Sequence, residues 1–582
     1  MTETTKRFIL KGTPASSGLA YGEARVIYRW RHAVEERAIT GAEVEKEYSR
    51  LDNAIARTLE ELGEYRRSAG QKIGGPVARI FDSQILIASD QDFLRKVKSE
   101  IRKTRKNSEY IYSMMVEKNI MPLRRSEDEY MRQMVLDIEA VLHRVLHFLA
   151  GESEPDLSKF AKDRIFVGKI FTPAEVLSLY ECGARAIITT GGSPNSHMAL
   201  IARSLIIPTV IDARRAHLRI RSGDQLIVDG DSGQIIVNPS EVEWKRAVKA
   251  SPKLRELPLT RLKKLPKVSP VTKDNVTIDV AANINLPGPL DRILSNHKIG
   301  VGLYRTEFFY LQQGKFPSED SQFDIYDSIA ESYYPQSVVI RTFDLGSDKI
   351  NHADNYGKED NPALGWRGIR ITLEKPQIFK EQIRAILKAS TRKNVKILLP
   401  MITDISELKK ALALIRRSMA ELKRKSIDFD EKIPVGIMIE VPSAAISADT
   451  LAGKVSFLSI GSNDLTQYTL AADRDNKKLV RIFNPLHPAV LRLIKMTVDA
   501  GKKHNIPITV CGEMSGDALA IPLLIGLGID ELSMNPSRLH NAYNVIPRLT
   551  VASAKKLANE IMKLNNLKDI EGRLLEFNLA LE

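Results

Sequence analysis

The chain has 582 residues, a formal net charge of +14, 43% hydrophobic residues and 27% charged residues. This length exceeds what one core can organise and predicts two to four domains, and the composition excludes a disordered or fibrous class. It has no apolar stretch of the ~18 residues that span a membrane, no signal-peptide core and only two cysteines, which predicts a cytoplasmic protein without membrane insertion.

Most of the excess positive charge lies in residues 92–108 and 241–268. The first stretch has the apolar spacing of a helix, and prolines interrupt the second. Neither stretch has more than a lone aromatic side chain on which bases could stack. We therefore interpret them as an exposed helix face and a solvated basic linker, and we expect no nucleic-acid partner.

The first 240 residues predict one α/β domain with a helical insertion. Residues 1–25 and 155–240 contain short β-type runs punctuated by glycines. Between them, residues 30–150 carry apolar side chains at helical spacing, beginning with Leu51, Ile55 and Leu59. The simplest topology joins the two β-rich parts in one domain and inserts a helical bundle between them.

His197 lies between a glycine turn and an apolar helix in GGSPNSHMALIAR, residues 191–203. Ser196 is a suitable N-cap, so His197 is expected in the first helical turn, where backbone N–H groups and the helix dipole stabilise an anion. A neutral imidazole is a nucleophile, and phosphorylation would give it such an anion. The alternative is a hydrogen-bonded structural histidine. No second His or Cys at ligand spacing supports a metal site.

Residues 269–582 contain eight apolar strand candidates, most of them separated by enough residues for a helix. They are Ile278–Ile284, Gly300–Arg305, Val338–Phe343, Lys396–Met401, Val435–Ile439, Phe457–Ile460, Ile506–Val510 and Glu531–Met534. This alternation predicts a (β/α)8 TIM-type barrel, with an open doubly wound sheet as the alternative.

Charged side chains cluster after several of these strands, at the end where such barrels hold their active sites. Glu440 and Asp464 follow neighbouring strands, and a Mg²⁺ ion would relieve their mutual repulsion. The alternative is that each carboxylate pairs with an arginine. The strand ends and their loops also contribute Arg305, Glu307, Arg341, Asp344, Arg367, Asn463, Arg474 and Cys511. Several arginines beside a metal site favour a small, highly anionic phosphorylated acid as ligand.

Cys511 follows the seventh predicted strand. A buried cysteine in this position is most often an inert core residue. Its location at the barrel mouth makes an acid or nucleophile the alternative.

A collinear set of motifs resembles enzyme I of the phosphoenolpyruvate-dependent phosphotransferase system over nearly the whole chain. The motifs are GTPASSGLAYGEA, SHMALIARSLIIPTV, GLYRTEFFYL, RTFDLGSDK, NPALGWRGIR, GIMIEVPSAA, FLSIGSNDLTQYTLAADRDN and VCGEMSGDALAIPLLIGLGIDELSMNP. The resemblance implies a multidomain α/β protein with a swivelling phosphohistidine domain and an inserted bundle that docks a phosphocarrier protein. It also implies that the barrel binds phosphoenolpyruvate and forms a homodimer.

The resemblance further implies that phosphoenolpyruvate phosphorylates His197, which then phosphorylates a histidine of a small HPr-like or nitrogen-type phosphocarrier. Such a system serves sugar uptake or nitrogen-type regulation. By resemblance, Glu440 and Asp464 hold Mg²⁺, and Cys511 protonates the enolate of pyruvate. The phosphoryl group is then held by Arg305, Arg341 and Arg474, and the rest of the substrate by Lys349, Arg367 and Asn463.

The sequence before His197 departs from the sugar-system pattern. Where those enzymes read GGxTSH, this chain reads GSPNSH, which is more similar to the nitrogen-related branch. A pyruvate phosphate dikinase or phosphoenolpyruvate synthase shares the histidine domain and the barrel but needs a nucleotide-binding domain, and no glycine-rich phosphate loop is evident here. A scaffold that only receives phosphate from another protein is the non-enzymatic alternative.

Overall fold

The structure is a computed structural model that describes residues 7–581, with gaps. The gaps are 28–33, 73–77, 79, 126–128, 152–162, 194–195, 251–261, 286, 288, 314, 347–358, 475, 477–478 and 480–481. The chain divides into two compact units, Met1–Thr260 and Arg261–Glu582.

The first unit is built on one eight-stranded sheet. Its strands, β1 to β8, are Phe8–Lys11, Thr13–Ser16, Leu19–Val26, Arg164–Gly168, Ala186–Thr189, Thr209–Ile211, Gln225–Asp229 and Gln234–Val237. Their spatial order is β1-β8-β7-β3-β4-β5-β6-β2, with parallel pairing from β3 to β6 and antiparallel pairing elsewhere. The N-terminal strands therefore share a sheet with strands that follow the helical bundle.

Helices α1 to α5 form the bundle inserted between β3 and β4. They are Val44–Lys72, Ile80–Ala88, Gln91–Thr104, Ser108–Arg124 and Glu129–Ala150, preceded by a 3-10 turn at Gly41–Glu43. The helical periodicity is confirmed, because Leu51, Ile55 and Leu62 are buried while the residues between them are mostly more exposed. Helices α6 to α9 complete the unit as Pro173–Glu181, His197–Ser204, Ala216–Arg219 and Glu241–Ala250.

Helix α9 departs from the prediction that residues 241–268 are a solvated linker. Its Trp244 packs edge-on against Tyr21 of β3, with ring centroids 5.3 Å apart. Glu243 pairs with Arg7 at 2.6 Å. Residues 241–250 thus belong to the first unit, because an aromatic side chain gains more from packing on the sheet than from exposure to water.

The second unit is the predicted closed barrel of eight parallel strands. Strands β9 to β16 are Asp279–Ile284, Gly300–Tyr304, Val338–Arg341, Val395–Leu399, Val435–Ile439, Phe457–Ile460, Ile508–Val510 and Glu531–Met534. Each strand pairs with its sequence neighbour, and β16 closes on β9. Parallel strands covered on both faces favour continuous apolar runs, which is why all eight were visible in the sequence.

Helices surround this barrel and follow its strands. Helices α10 to α23 are Pro289–Asn296, Glu307–Gln313, Glu319–Tyr333, Ile369–Glu374, Pro376–Lys388, Ile405–Arg424, Pro442–Ile446, Ala448–Ala452, Ser462–Leu470, Pro488–Lys503, Ile521–Leu527, Leu539–Val545, Val551–Ile561 and Leu567–Leu581. Short 3-10 turns occupy Ala389–Arg392, Glu513–Gly516, Pro536–Arg538 and Ile546–Arg548. None of the helices that the structure describes is long and apolar enough to cross a membrane.

Alanine substitutions at two helical glycines of the barrel unit should have opposite effects on stability. A Cβ on Gly526 of α20 would lie 2.0 Å from the carbonyl oxygen of Ala554 in α22, whereas a Cβ on Gly572 of α23 meets no atom within 4 Å. Gly526→Ala should lower the free energy of unfolding by about 1–3 kcal/mol, as overpacking does. Gly572→Ala should raise it by about 0.5–1 kcal/mol. Thermal melting of both variants checks this, and shifts of equal sign would contradict it.

Candidate active site

His197 is the first residue of helix α7, as the sequence predicted. Ser196 precedes it in extended conformation and accepts a hydrogen bond from the Ala199 N–H at 3.3 Å. Gly192 adopts a φ of +111°, a left-handed conformation that suits the turn before the helix. Pro194 and Asn195 lie outside the described residues. The side chain of His197 is 13% exposed, so its ring keeps limited access to solvent.

A carboxylate that sequence reasoning missed lies against this histidine. His197 Nδ1 is 3.3 Å from the carboxylate of Asp137 in helix α5. Asp137 is buried, and its Oδ1 also accepts a hydrogen bond from the Gln84 amide of α2 at 3.1 Å. The one signal in the sequence was an acidic residue at a helical position flanked by the apolar Leu136 and Ile138.

Three carboxylates meet at the carboxyl end of the barrel strands. Oxygens of Asp344, Glu440 and Asp464 all lie within 4.8 Å of one another. Asp344 follows β11, Glu440 follows β13, and Asp464 occupies the first turn of α18. The sequence predicted the pair of Glu440 and Asp464, and the fold adds Asp344 because neighbouring parallel strands end at one rim.

Glu440 is fully buried, and only one of its two carboxylate oxygens has a hydrogen-bond partner among the described residues. Its Oε1 accepts a hydrogen bond from the Met401 N–H at 2.7 Å, while its Oε2 has no hydrogen-bond partner among the described residues. Burial raises the pKa of Glu440, and the nearby carboxylates of Asp344 and Asp464 raise it further. A buried oxygen without a partner, facing two other carboxylates, has the chemistry of a ligand for a hard divalent cation.

Arginine pairing, the alternative to a metal site, holds for part of this cluster. Arg367 donates to Asp344 at 2.8 and 3.1 Å and lies 3.4 Å from Asp464. Arg341 pairs with Glu307 at 2.9 Å and with Asp344 at 3.0 Å. Two of the predicted arginines, Arg341 and Arg367, are therefore engaged by carboxylates. Among the described residues, Glu440 has no such ion pair.

Arg305 differs from the other buried arginines of the mouth. It has no side-chain hydrogen bond or ion pair to a described residue, and it follows β10 directly. Burial lowers the pKa of Arg305, and the positive charges of Arg341 and Arg474 lower it further. The Glu307 carboxylate opposes this lowering, but Arg305 donates no hydrogen bond to a described residue, so its guanidinium group remains available to bind an anion. Arg474 itself is exposed.

Asn463 and Lys349 are the remaining residues predicted to contact the substrate, and the structure describes only Asn463. Asn463 lies in the first turn of α18 beside Asp464, and its side-chain oxygen accepts a hydrogen bond from the Glu513 N–H at 3.2 Å. Lys349 lies outside the described residues.

Cys511 is buried after β15, in an apolar cluster that includes Leu303 and Met438. The Ser459 hydroxyl donates to its Sγ at 3.2 Å. Burial raises the pKa of Cys511 to about 11. The core location matches the inert interpretation, but a thiol that stays protonated at neutral pH is also a proton donor.

Models of phosphoenolpyruvate-utilising enzymes match three consecutive parts of the chain. The N-terminal model matches residues 11–133, the mobile-domain model residues 160–233 and the PEP-binding-domain model residues 260–551. The phosphoenolpyruvate-protein phosphotransferase of Bacillus subtilis is 37% identical over 96% of this chain and 98% of its own length. The chain belongs to this phosphotransferase family. The resemblance to enzyme I and the predicted fold class are thereby confirmed.

Other phosphoenolpyruvate-protein phosphotransferases are similar over the same span. The protein of Listeria monocytogenes is 35% identical over 96% of this chain and 98% of its own, and that of Staphylococcus carnosus is 32% identical over 98% and 99%. An NMR solution structure of Enzyme I aligns with 42% of this chain and all of its own, at 26% identity and a TM-score of 0.37.

Proposed function

We propose that the chain transfers the phosphoryl group of phosphoenolpyruvate to its own His197 and then to a histidine of a small phosphocarrier protein, with release of pyruvate. The observation that carries this proposal is a partly exposed histidine at a helix N-terminus, inside the segment that the mobile-domain model matches. The helix N-terminus stabilises the phosphoryl anion that the imidazole would carry.

Glu440 and Asp464, with Asp344 beside them, would hold Mg²⁺. The partnerless Oε2 of Glu440 supports this assignment, because an oxygen ligand set with several carboxylates suits a hard cation. When bound, the ion would neutralise charge on the phosphate and carboxylate oxygens of the substrate.

The arginines would bind and orient the substrate. Arg305 and the exposed Arg474 would contact the phosphoryl oxygens, together with Arg341. Arg367, Asn463 and Lys349 would hold the rest of the substrate. Phosphoryl transfer depends on positioning and charge neutralisation more than on covalent participation by the protein, which suits such a set.

The chemical step exchanges one bond for another. The imidazole of His197 attacks phosphorus, the N–P bond forms, and the P–O bond to enolpyruvate breaks. The Cys511 thiol then gives its proton to the methylene carbon of the enolate, producing pyruvate, and the thiolate recovers a proton from solvent. The guanidinium groups of Arg341 and Arg305 favour that transient thiolate, since both oppose the rise of the Cys511 pKa.

Cys511→Ala should slow turnover by about 10²–10⁴-fold, the usual contribution of a positioned acid. Binding of phosphoenolpyruvate should persist, because the thiol lies among apolar side chains and serves no described ion pair. Cys182→Ala is the matched control, since Cys182 is also a buried cysteine outside any disulfide but belongs to the first unit. Pyruvate release and substrate binding are measured separately. Unchanged turnover would remove the acid role of Cys511.

The raised pKa of Cys511 also predicts how turnover depends on pH. With a pKa near 11, the thiol keeps its proton across the neutral range, so its donor role should not fade between pH 6 and about pH 10. A loss of turnover that titrates near the ordinary thiol pKa of ~8.5 in wild type, but not in Cys511→Ala, would contradict this.

The carrier and the assembly follow from the same proposal. The carrier is an HPr-like or a nitrogen-type phosphocarrier protein, and GSPNSH is more similar to the nitrogen-related branch. We also propose that the protein acts in the cytoplasm as a homodimer formed through the barrel. Pull-down with each carrier class, followed by a phosphoryl-transfer assay, separates the two branches.

Incubation with ³²P-labelled phosphoenolpyruvate and Mg²⁺, without nucleotide, tests the proposed reaction. Acid-labile label on the protein and stoichiometric pyruvate support it. A requirement for nucleotide would instead indicate a dikinase or synthase. Labelling only from an already phosphorylated protein would indicate a scaffold.

A further inference from the structure

We infer that Asp137 of the helical bundle is a positioning residue for His197, and that it selects the imidazole tautomer in which Nδ1 carries the proton and Nε2 is the nucleophile. The inference rests on the proposed function for its consequence, but the tautomer itself can be measured without any reaction. The contact is the 3.3 Å distance between His197 Nδ1 and the Asp137 carboxylate.

The chemistry of the two groups fixes the direction of the hydrogen bond. An ionised carboxylate can only accept, so the His197 nitrogen that faces it must donate. A neutral imidazole carries one proton, and placing it on Nδ1 leaves the lone pair on Nε2. Asp137 would therefore set which ring nitrogen can attack phosphorus.

Asp137 is itself held in place by a second residue, which bonds to an oxygen that also contacts His197. The Gln84 amide of α2 donates to Asp137 Oδ1 at 3.1 Å. All three groups are shielded, since Gln84 is 3% and Asp137 6% exposed and the His197 side chain 13%. A buried polar network with a single orientation restricts the ring rotation of His197 as well as its proton position.

The network also explains why an acid occupies a buried position in a bundle helix. A buried carboxylate costs free energy unless it is hydrogen-bonded, and an apolar residue at position 137 would pack between helices at lower cost. Gln84 and His197 are its hydrogen-bond partners among the described residues. The contact links the bundle to the helix that bears the histidine within the first unit.

The first test is the tautomer of the unphosphorylated wild-type protein. Two-bond ¹⁵N–¹H correlation spectra of the imidazole side chains, with His197 assigned by its absence in His197→Gln, distinguish Nδ1–H from Nε2–H. We expect the Nδ1–H tautomer at neutral pH. An Nε2–H tautomer in wild type would overturn the inference, whether or not the protein proves to react with phosphoenolpyruvate.

The second test is Asp137→Asn. Both Asp137 oxygens lie 3.3 Å from His197 Nδ1, and Gln84 would hold the asparagine oxygen while the amide N–H₂ replaces the other oxygen. The ring then loses the negative charge and one of its two acceptors, so the preference for the Nδ1–H tautomer should weaken. In a Ser-His-Asp triad the equivalent change costs about 10⁴-fold through the wrong tautomer, and we expect a loss of about 10²–10⁴-fold in the rate of His197 labelling. The KM for phosphoenolpyruvate should not change, because Asp137 lies in the other unit.

Glu139→Gln is the matched control, because Glu139 lies on the same helix and pairs with Arg124 at the surface. It should label at the wild-type rate and keep the wild-type tautomer. Wild-type labelling by Asp137→Asn, or a loss confined to KM, would overturn the inference. If wild type itself took no label, the proposed function would fail while the spectrum still decided the tautomer.

Discussion

Replacing His197 with alanine is expected to abolish the transfer of label from phosphoenolpyruvate to the protein. The imidazole at the start of α7 is the nucleophile of the proposed reaction, and alanine has no nitrogen that could form the N–P bond. The loss should be complete within detection rather than partial. Labelled substrate, Mg²⁺ and acid lability of the bound phosphate provide the measurement.

Substrate binding separates this loss from misfolding. His197 and the barrel mouth belong to different units, so the affinity of the His197→Ala variant for phosphoenolpyruvate should stay within about twofold of wild type, as for independent sites. His504→Ala is the control, because His504 is a surface histidine whose Nε2 lies 3.0 Å from Asp449. Retained acid-labile label on His197→Ala would place the phosphoryl group elsewhere and contradict the mechanism.

Replacing Glu440 with glutamine is expected to lower Mg²⁺-dependent labelling by at least about 10²–10³-fold, the range for one preorganised electrostatic group. Glutamine keeps the shape of the side chain and an oxygen for the Met401 N–H, but it lacks the charge that a cation requires. The measurement is the labelling rate as a function of Mg²⁺ concentration.

Glu531→Gln controls for the loss of a buried carboxylate in the same barrel. Burial raises the pKa of Glu531 as well, yet Glu531 begins strand β16 and therefore lies at the opposite end from the mouth. It should retain Mg²⁺-dependent labelling. Wild-type labelling by Glu440→Gln would refute the assignment of Glu440 as a metal ligand.

The pH dependence of stability gives an independent readout on Glu440. Its folded-state pKa is raised, so between the ordinary carboxyl pKa and the raised one the folded protein binds more protons than the unfolded chain. The free energy of unfolding of the cation-free protein should therefore fall as pH rises through this window. Glu440→Gln should remove that part of the slope. If the curves of unfolding free energy against pH were parallel for wild type and Glu440→Gln, they would contradict a raised pKa for Glu440.

The architecture of the barrel could be predicted from the sequence because parallel strands buried on both faces leave continuous apolar runs. Val435–Ile439, Phe457–Ile460 and Glu531–Met534 have the predicted bounds, and the other five strands differ by one to two residues at one or both ends. The alternation of strands and helices then predicts that consecutive strands lie side by side in the barrel. Glu440 and Asp464 follow consecutive strands, so both could be expected at one rim.

The pairing inside the site could not be predicted in the same way. Arg367 reaches Asp344 and Asp464 across sequence separations that no local pattern encodes. Whether an arginine faces a carboxylate or solvent depends on side-chain direction at strand ends and loops. Arg305 and Arg341 therefore looked equivalent in sequence, although only Arg341 forms ion pairs with described carboxylates.

Two tertiary contacts of the first unit were missed for a common reason. Helical periodicity located α5 but not what its buried Asp137 would contact, because His197 is 60 residues away in sequence. Trp244 was one aromatic in a basic, proline-broken stretch, and its partner Tyr21 lies in an N-terminal strand. Tertiary contacts decide both cases.

Single-turnover mixing of the wild-type protein with one equivalent of phosphoenolpyruvate and Mg²⁺, without carrier or nucleotide, tests the central claim most directly. The proposed mechanism predicts that pyruvate and acid-labile protein phosphate appear together in equal amounts, and that peptide mapping finds the phosphate on His197. Pyruvate without protein phosphate, or phosphate mapped to another residue, would contradict it.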